Sequence, residues 1–261
     1  MARSQALLNV LKLATTEELP IEQQFLQDLK ASIEMENEKN SRKPSLTYKP
    51  SSMNCIRNMY FQVTGAEPKS ERTTSEFVGI CENGTDRHER LQEAVMCMKN
   101  NNIDCEYVNV ADYVREHKLD YLEIVSQQGN ETKLFHKDLN ISFLCDGIIK
   151  YKGHYYILEI KTEISGKFWD RTNVNPDHIQ QGTAYSEALK LSKVIFLYEC
   201  RDNCSKKTFM LTVTDDMRKE MVDRIKECDG YVQRGICPPK PENVSKKACA
   251  YCIYSELCKT I

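Results

Sequence analysis

The chain is short of net charge, has a single tryptophan, and contains no hydrophobic run long enough to cross a membrane. A formal net charge of −2 excludes a strongly basic nucleic-acid coat. No apolar stretch approaches the roughly 20 residues that a transmembrane helix needs. The opening MARSQALLNVLKLATT is apolar, but Asn9 and Lys12 interrupt it and no small-residue cleavage site follows. It is therefore expected to be an amphipathic helix rather than an export signal. No internal repeat is visible.

What is present in excess is cysteine. Twelve cysteines in 261 residues, with no export signal, do not read as a secreted disulfide framework. A reducing, cytoplasmic setting with some thiolates on a metal is expected instead. The 41% hydrophobic and 28% charged content is that of an ordinary globular protein, and a chain of this length buries roughly three quarters of its unfolded surface. It needs no staple merely to fold.

The pattern divides at about residue 50. Residues 1–50 are expected to be a helical extension and linker: Ile21, Phe25, Leu26, Leu29 and Ile33 recur at helical spacing after Pro20, and Lys39 to Pro50 has prolines, serines and no period. Residues 51–261 are expected to form one α/β domain. Helices are predicted from Ser51 to Gly65, from about Gly84 to Asn101 with Thr85 or Asp86 as cap, from Pro176 to about Ser192, and from Thr214 or Asp215 to about Arg234. Strands are predicted at Tyr121 to Val125, Lys133 to His136, Lys193 to Cys200 and Lys207 to Val213, and Ile164 to Asp177 reads as a polar loop. Two stretches are locally basic. Lys39 to Thr64 holds Lys39, Arg42, Lys43, Lys49 and Arg57 with no acid, and Arg234 to Lys247 is basic but for Glu242. They are solvated loops or a phosphate-contacting surface.

The most informative stretch is ISFLCDGIIKYKGHYYILEIKTE, from Ile141 to Glu163. It reads as two strands joined at Lys152-Gly153, with Asp146 on the first and Glu159 on the second. Strand side chains alternate, so Glu159 and Lys161 share a face about 6–7 Å apart, while Tyr156, Leu158 and Ile160 point into a core. Charges in so apolar a hairpin need a partner. Either Glu159 and Lys161 form an edge-strand salt bridge, or the acids hold a hard divalent cation, Mg²⁺ or Mn²⁺, of the kind that phosphodiester hydrolysis requires. On flanking helices, His88 lies in a stripe with Leu91, Val95 and Met98, and His178, Gln181 and Tyr185 recur at i, i+3 and i+7.

In this order the motifs GTDRH (Gly84 to His88), CDG, LEIKT and HIQQGTAY resemble those of the PD-(D/E)XK nuclease superfamily, in its RecB-like branch. The resemblance implies a restriction-endonuclease-like core, a mixed central sheet flanked by helices. It implies His88, Asp146, Glu159 and the backbone carbonyl of Ile160 as metal ligands. Lys161 is implied as the catalytic lysine, with Gln181 and Tyr185 orienting it or the substrate. The implied activity is Mg²⁺- or Mn²⁺-dependent hydrolysis of DNA, exonucleolytic, on single strands or ends. The chain shows no companion helicase domain, so a helicase or recombination partner is expected to be a separate chain.

Cys249, Cys252 and Cys258 have the local spacing of metal ligands and require a fourth thiolate. Cys237 would complete a self-contained zinc knuckle; Cys55 would tie the two ends of the domain together. The second arrangement is similar to the iron–sulfur RecB-like nucleases, a branch that includes the CRISPR-adaptation exonucleases and the AddB nuclease domain. It implies a [4Fe–4S] cluster on Cys55, Cys249, Cys252 and Cys258 as a C-terminal clasp. The other seven cysteines are expected in the core. Phe168 and Trp169, just after the Glu-x-Lys strand, are candidates for stacking on an unpaired base, with a packing role for Trp169 as the alternative. The competing reading is a catalytically inactive, nuclease-derived module that binds DNA or a protein through a structural zinc or iron–sulfur site.

Overall fold

The computed structural model describes residues 19–39, 46–68, 74–128, 130–242, 244, 249 and 252–261. The helix expected over residues 1–16 and the basic residues Arg42, Lys43, Lys246 and Lys247 lie outside the described residues. The chain divides into two units, Met1–Arg42 with Glu71–Ile80, and Lys43–Ser70 with Cys81–Ile261. In the smaller unit, helix α1 (Ile21–Lys39) starts where the Pro20 carbonyl accepts the amides of Gln23 and Gln24. Lys30 pairs with Glu76 at 2.5 Å, and Glu34 accepts the Ser75 amide at 2.9 Å.

The larger unit is built on a five-stranded mixed sheet in the order β1 (Cys105–Val108), β5 (Gly147–Tyr151), β6 (His154–Glu163), β7 (Lys193–Cys200) and β8 (Lys206–Thr212). Only β6 and β7 run parallel. They are joined by α5 (Ser165–Asp170) and α6 (Pro176–Leu189), as a parallel crossover requires. The period of two divides the sheet's residues between two layers. Ile149, Leu158 and Ile160 pack with Leu91, Val95 and Met98 of α3 (Ser75–Asn100). Ile148, Ile157, Val194 and Phe196 pack on the other side with Ala184, Ala188 and Leu189 of α6, in a cluster that also holds Ile225 of α7 (Asp215–Arg234). Burial of each such aliphatic side chain contributes about 1.5–3 kcal/mol. A second sheet, antiparallel, contains β2 (Leu122–Gln128), β3 (Glu131–His136) and β4 (Ile141–Cys145) in that order. The remaining helices are α2 (Ile56–Val63), α4 (Val110–Glu116) and α8 (Ser255–Lys259).

Four sequence expectations are corrected. The Ile141–Glu163 stretch is three strands, not two: β4 belongs to the small sheet, and the chain changes sheet at Asp146. Gly147 permits the change, because a Cβ there would meet the Tyr107 ring at 2.6 Å. The Lys152-Gly153 turn forms as expected, with both residues at positive φ. Helix α3 starts at Ser75, not Gly84, because the Thr74 hydroxyl accepts the Phe77 amide and Gly84 has open space around it. The Ile164–Asp177 loop contains α5, whose last carbonyls are satisfied from β8. Lys207 Nζ donates to the carbonyls of Phe168 (2.8 Å), Trp169 (3.0 Å) and Arg171 (3.1 Å). Finally, of the seven cysteines expected in the core, Cys105, Cys145, Cys200 and Cys228 are buried and Cys81, Cys97 and Cys204 are exposed.

Candidate active site

Asp146 stands at the crossing point of the two sheets and is held from every side. Its Oδ2 accepts the Ile160 amide at 2.6 Å, and its Oδ1 lies 3.2 Å from His88 Nδ1. Its carbonyl accepts from Gln92 Nε2 at 2.7 Å and from the Tyr107 hydroxyl at 2.6 Å. The same hydroxyl lies 3.1 Å from the Asn130 carbonyl, so one proton serves two turns of the chain. His88 lies mid-helix in α3, four positions before Gln92, rather than in the first turn that a start near Gly84 implies. Burial works to lower the His88 imidazole pKa; the Asp146 carboxylate overcomes it and holds the ring above its ordinary value.

Glu159 and Lys161 project from β6, the middle strand of the sheet, so the ion pair between them (Nζ to Oε1, 2.6 Å) is not an edge-strand contact. Glu159 is only 2% exposed and its Oε2 has no hydrogen-bond partner. Burial pushes its carboxyl above the ordinary carboxylate range, against the pull of the Lys161 ammonium. For Lys161, burial works downward, and the charges of Glu159 and Asp146 outweigh it. A 2.6 Å contact is that of an ammonium with a carboxylate, so we weigh the pair as ionised, with an acid that takes up a proton more readily than usual. Lys161 Nζ also donates to Gln181 Oε1 at 3.0 Å; Gln181 Nε2 donates to the Tyr185 hydroxyl at 2.7 Å; that hydroxyl donates to the Leu144 carbonyl at 2.9 Å. Asn175, whose side chain accepts the Asp177 amide, and Pro176 in the first turn of α6 fix where this stripe begins.

Sequence reasoning missed Glu131. One donor atom each from His88, Glu131 and Asp146 lies within 4.8 Å of the others, the one such group among the described residues. The signal was faint: Gly129-Asn130 between two β-prone runs marks a hairpin whose second strand opens on Glu131. The Ile160 side chain is fully buried on the opposite face from Glu159, and its amide serves Asp146. One imidazole with two carboxylates fits a divalent cation such as Mn²⁺ or Mg²⁺, and Glu159 separately keeps a buried carboxylate oxygen unpartnered.

Far from this group, α2 meets the C-terminal segment. Arg57, only 8% exposed, donates Nε to the Pro238 carbonyl at 2.9 Å and approaches Cys258 Sγ through Nη1 at 3.5 Å. Arg57 is thus a buried strut, not part of a phosphate-contacting surface. Asn58 Nδ2 lies 3.6 Å and the Tyr254 amide 3.4 Å from Cys252 Sγ. Cys55 precedes the first turn of α2; burial raises its thiol pKa, the Arg57 and Asn58 amides lower it, and Cys258 and Cys249 act on it as like charges. Cys237 belongs to the same neighbourhood, but its Sγ donates to the Pro238 carbonyl at 3.6 Å. Sulfurs that accept N–H bonds suit thiolates on a metal or cluster better than one that donates.

No protein-family model matches the sequence, and no curated protein matches it. Among solved structures, the chain is similar to that of SSO0001, with a TM-score of 0.46 and 17% identity over 90% of this chain and 97% of that one. It is also similar to the alkaline exonuclease LHK-Exo from Laribacter hongkongensis, with a TM-score of 0.42 and 14% identity over 74% and 90% of the two chains. The same exonuclease in complex with dAMP gives a TM-score of 0.41 and 12% identity over 73% and 89%. Likenesses at this level fix neither a family nor an activity.

Proposed function

We propose that this chain is a Mg²⁺- or Mn²⁺-dependent deoxyribonuclease of the PD-(D/E)XK type, acting exonucleolytically on single strands or ends. The observation that carries this reading is a buried carboxylate, Glu159, with one oxygen on Lys161 and the other unpartnered. Asp146 and His88 act on the same carboxylate electrostatically. Nothing in a purely structural ion pair asks for a second acid and a histidine beside it.

In this reading Asp146, Glu159, His88 and the Ile160 carbonyl hold the cation. When bound, it neutralises the charge developing on a phosphodiester and lowers the pKa of an attacking water. The chain's own part is to orient. Lys161, fixed by Glu159 and Gln181, presents its ammonium to the scissile phosphate, and Tyr185 fixes Gln181. The thiolates of Cys55, Cys249, Cys252 and Cys258 would hold a [4Fe–4S] cluster, which supplies a covalent clasp between α2 and the C-terminal segment.

The test is digestion of end-labelled single-stranded and duplex DNA with Mg²⁺, Mn²⁺ or EDTA. Glu159→Gln and Lys161→Ala are each expected to lose cleavage by at least about 100-fold while far-UV circular dichroism is unchanged. Undiminished digestion by a clean Glu159→Gln preparation refutes the assignment.

A further inference from the structure

The hairpin of β2 and β3 lies outside the five-stranded sheet, yet its turn reaches the acidic group. In the register of β3 with β4, Thr132 faces Cys145, which sets Glu131 next to Asp146 just past the last pair. Tyr107 of β1 fixes that approach by binding the carbonyls of both Asn130 and Asp146. Glu131, half-buried, therefore stands beside a carboxylate that is itself buried, and one donor atom each of Glu131, Asp146 and His88 lies within 4.8 Å of the others. The ammonium of Lys161 is already engaged by Glu159 and Gln181. Glu131 and Asp146 thus share one imidazole, that of His88. Like charges at such spacing are unfavourable unless a counter-ion joins them. Independently, Oε2 of Glu159 has no partner on a side chain only 2% exposed, and Asp146 and His88 both act on that carboxylate as neighbouring charges.

The geometry points to Glu131 as a further ligand of the divalent cation held by His88 and Asp146, delivered by a hairpin outside the main sheet, so that binding the ion pins the hairpin to the site. This rests on the divalent-cation reading above and adds to it a ligand that none of the nuclease motifs in the sequence contains. The ion's arrival is then coupled to the small sheet. Any substrate strand lying against β2 and β3 would meet a surface that is firm only when the metal is in place.

The test needs no substrate. Full-length protein and Glu131→Gln, which keeps the side chain's size, are titrated with MnCl₂ by calorimetry. Their thermal midpoints are compared with and without Mn²⁺, and amide exchange in residues 122–136 is followed. Glu93→Gln, on an exposed acid of α3, is the control. Without Mn²⁺ the Glu131→Gln midpoint is expected to equal or exceed that of the parent, because a like-charge contact is relieved. With Mn²⁺, its affinity is expected to fall by about tenfold or more, and the slowing of exchange in the hairpin to disappear. Glu93→Gln should behave as the parent does. If the parent binds Mn²⁺ and Glu131→Gln binds it equally well, Glu131 is not a ligand, though the cation reading stands. If the parent itself shows no Mn²⁺ binding, both fall. A Glu131→Gln protein that is less stable without metal also overturns the proposal, since it would show a structural role.

Discussion

Lys161 and Gln181 are joined across the gap between β6 and α6 by a 3.0 Å hydrogen bond. From there the chain of contacts runs through the Tyr185 hydroxyl to the Leu144 carbonyl, two residues before Asp146. The lysine is thereby tied to the segment that carries the first acid, although the two lie on different strands. Tyr185→Phe removes the link at its middle. We expect cleavage to fall about tenfold, about 1.4 kcal/mol in the barrier, for a stability loss of about 1 kcal/mol. Gln181→Leu, which strips Lys161 of a direct partner, should cost more activity. Single-turnover digestion rates with urea unfolding alongside decide it; equal rates in parent and Tyr185→Phe would mean that the relay has no part in the chemistry.

Cys55 and Cys237 compete for the place of fourth thiolate, and their hydrogen bonds separate them. The amides at the start of α2 favour the Cys55 thiolate, whereas the Cys237 sulfur donates to a carbonyl. Iron and acid-labile sulfide are expected in anaerobically purified parent and Cys237→Ser, and are expected to be lost in Cys55→Ser. Zinc in place of iron, or retention of iron in Cys55→Ser with loss in Cys237→Ser, would assign the site to a knuckle instead.

The parts of the fold that were legible in the sequence are those whose causes are local. Asn175 and Pro176 start α6, Thr214 starts α7 by accepting the Met217 amide, and the apolar run from Lys193 is a strand because both its faces are covered. Helix α4 also had a local cause, the Asn109 side chain accepting the Asp112 amide at 3.1 Å, which was overlooked in a stretch without clear periodicity. The illegible parts depend on partners distant in sequence. The break at Asp146 needs Tyr107 against Gly147; α5 needs Lys207 from β8; Glu131 needs the register of a sheet separate from the one that bears Glu159. The motif residues His88, Glu159, Lys161, Gln181 and Tyr185 could be read because each sits on an element with its own periodicity, and Asp146 because two apolar strands flank it. Glu131 opens a strand of its own, but only the pairing of β3 with β4 sets it beside Asp146.

Phe168 and Trp169 were grouped as candidates for base stacking, and the structure parts them. Phe168 is fully buried, so that half of the expectation is corrected, while the indole of Trp169 is 55% exposed at the end of α5. Lys207 lies 5.5 Å from the Trp169 ring and binds three carbonyls around it, so the exposed ring stands on a fixed base beside a positive charge. Because Trp169 is the only tryptophan, intrinsic emission reports on it alone. Adding single-stranded oligodeoxynucleotide in EDTA should quench that emission. Trp169→Ala should weaken binding by about 1–3 kcal/mol, and Trp169→Phe by less. Saturated binding by anisotropy with unchanged emission would remove Trp169 from the substrate path.

His178 gives a pH signature that does not involve the acids. Its ring is stacked with Phe196 and Tyr198, and its Nδ1 is 3.0 Å from the Tyr198 hydroxyl. Burial, then the charges of Lys161 and Arg171, push its pKa down to about 3. The folded protein therefore keeps His178 neutral where an unfolded chain, with an ordinary value of about 6.5, takes up a proton. Stability is fully present above pH 6.5 and declines as pH falls from there toward 3, with a limiting slope of about 1.4 kcal/mol per pH unit from this one group. His136, lowered by burial, adds to the slope, while His88, raised by Asp146, and Glu159, raised by burial, oppose it. The contribution of His178 is therefore read as a difference. Urea unfolding of parent and His178→Asn at pH 7 and pH 5 should show a smaller drop in the variant, whatever its stability at pH 7. Equal drops would mean that His178 is protonated in the folded protein, and that Lys161 does not act on it as a nearby charge.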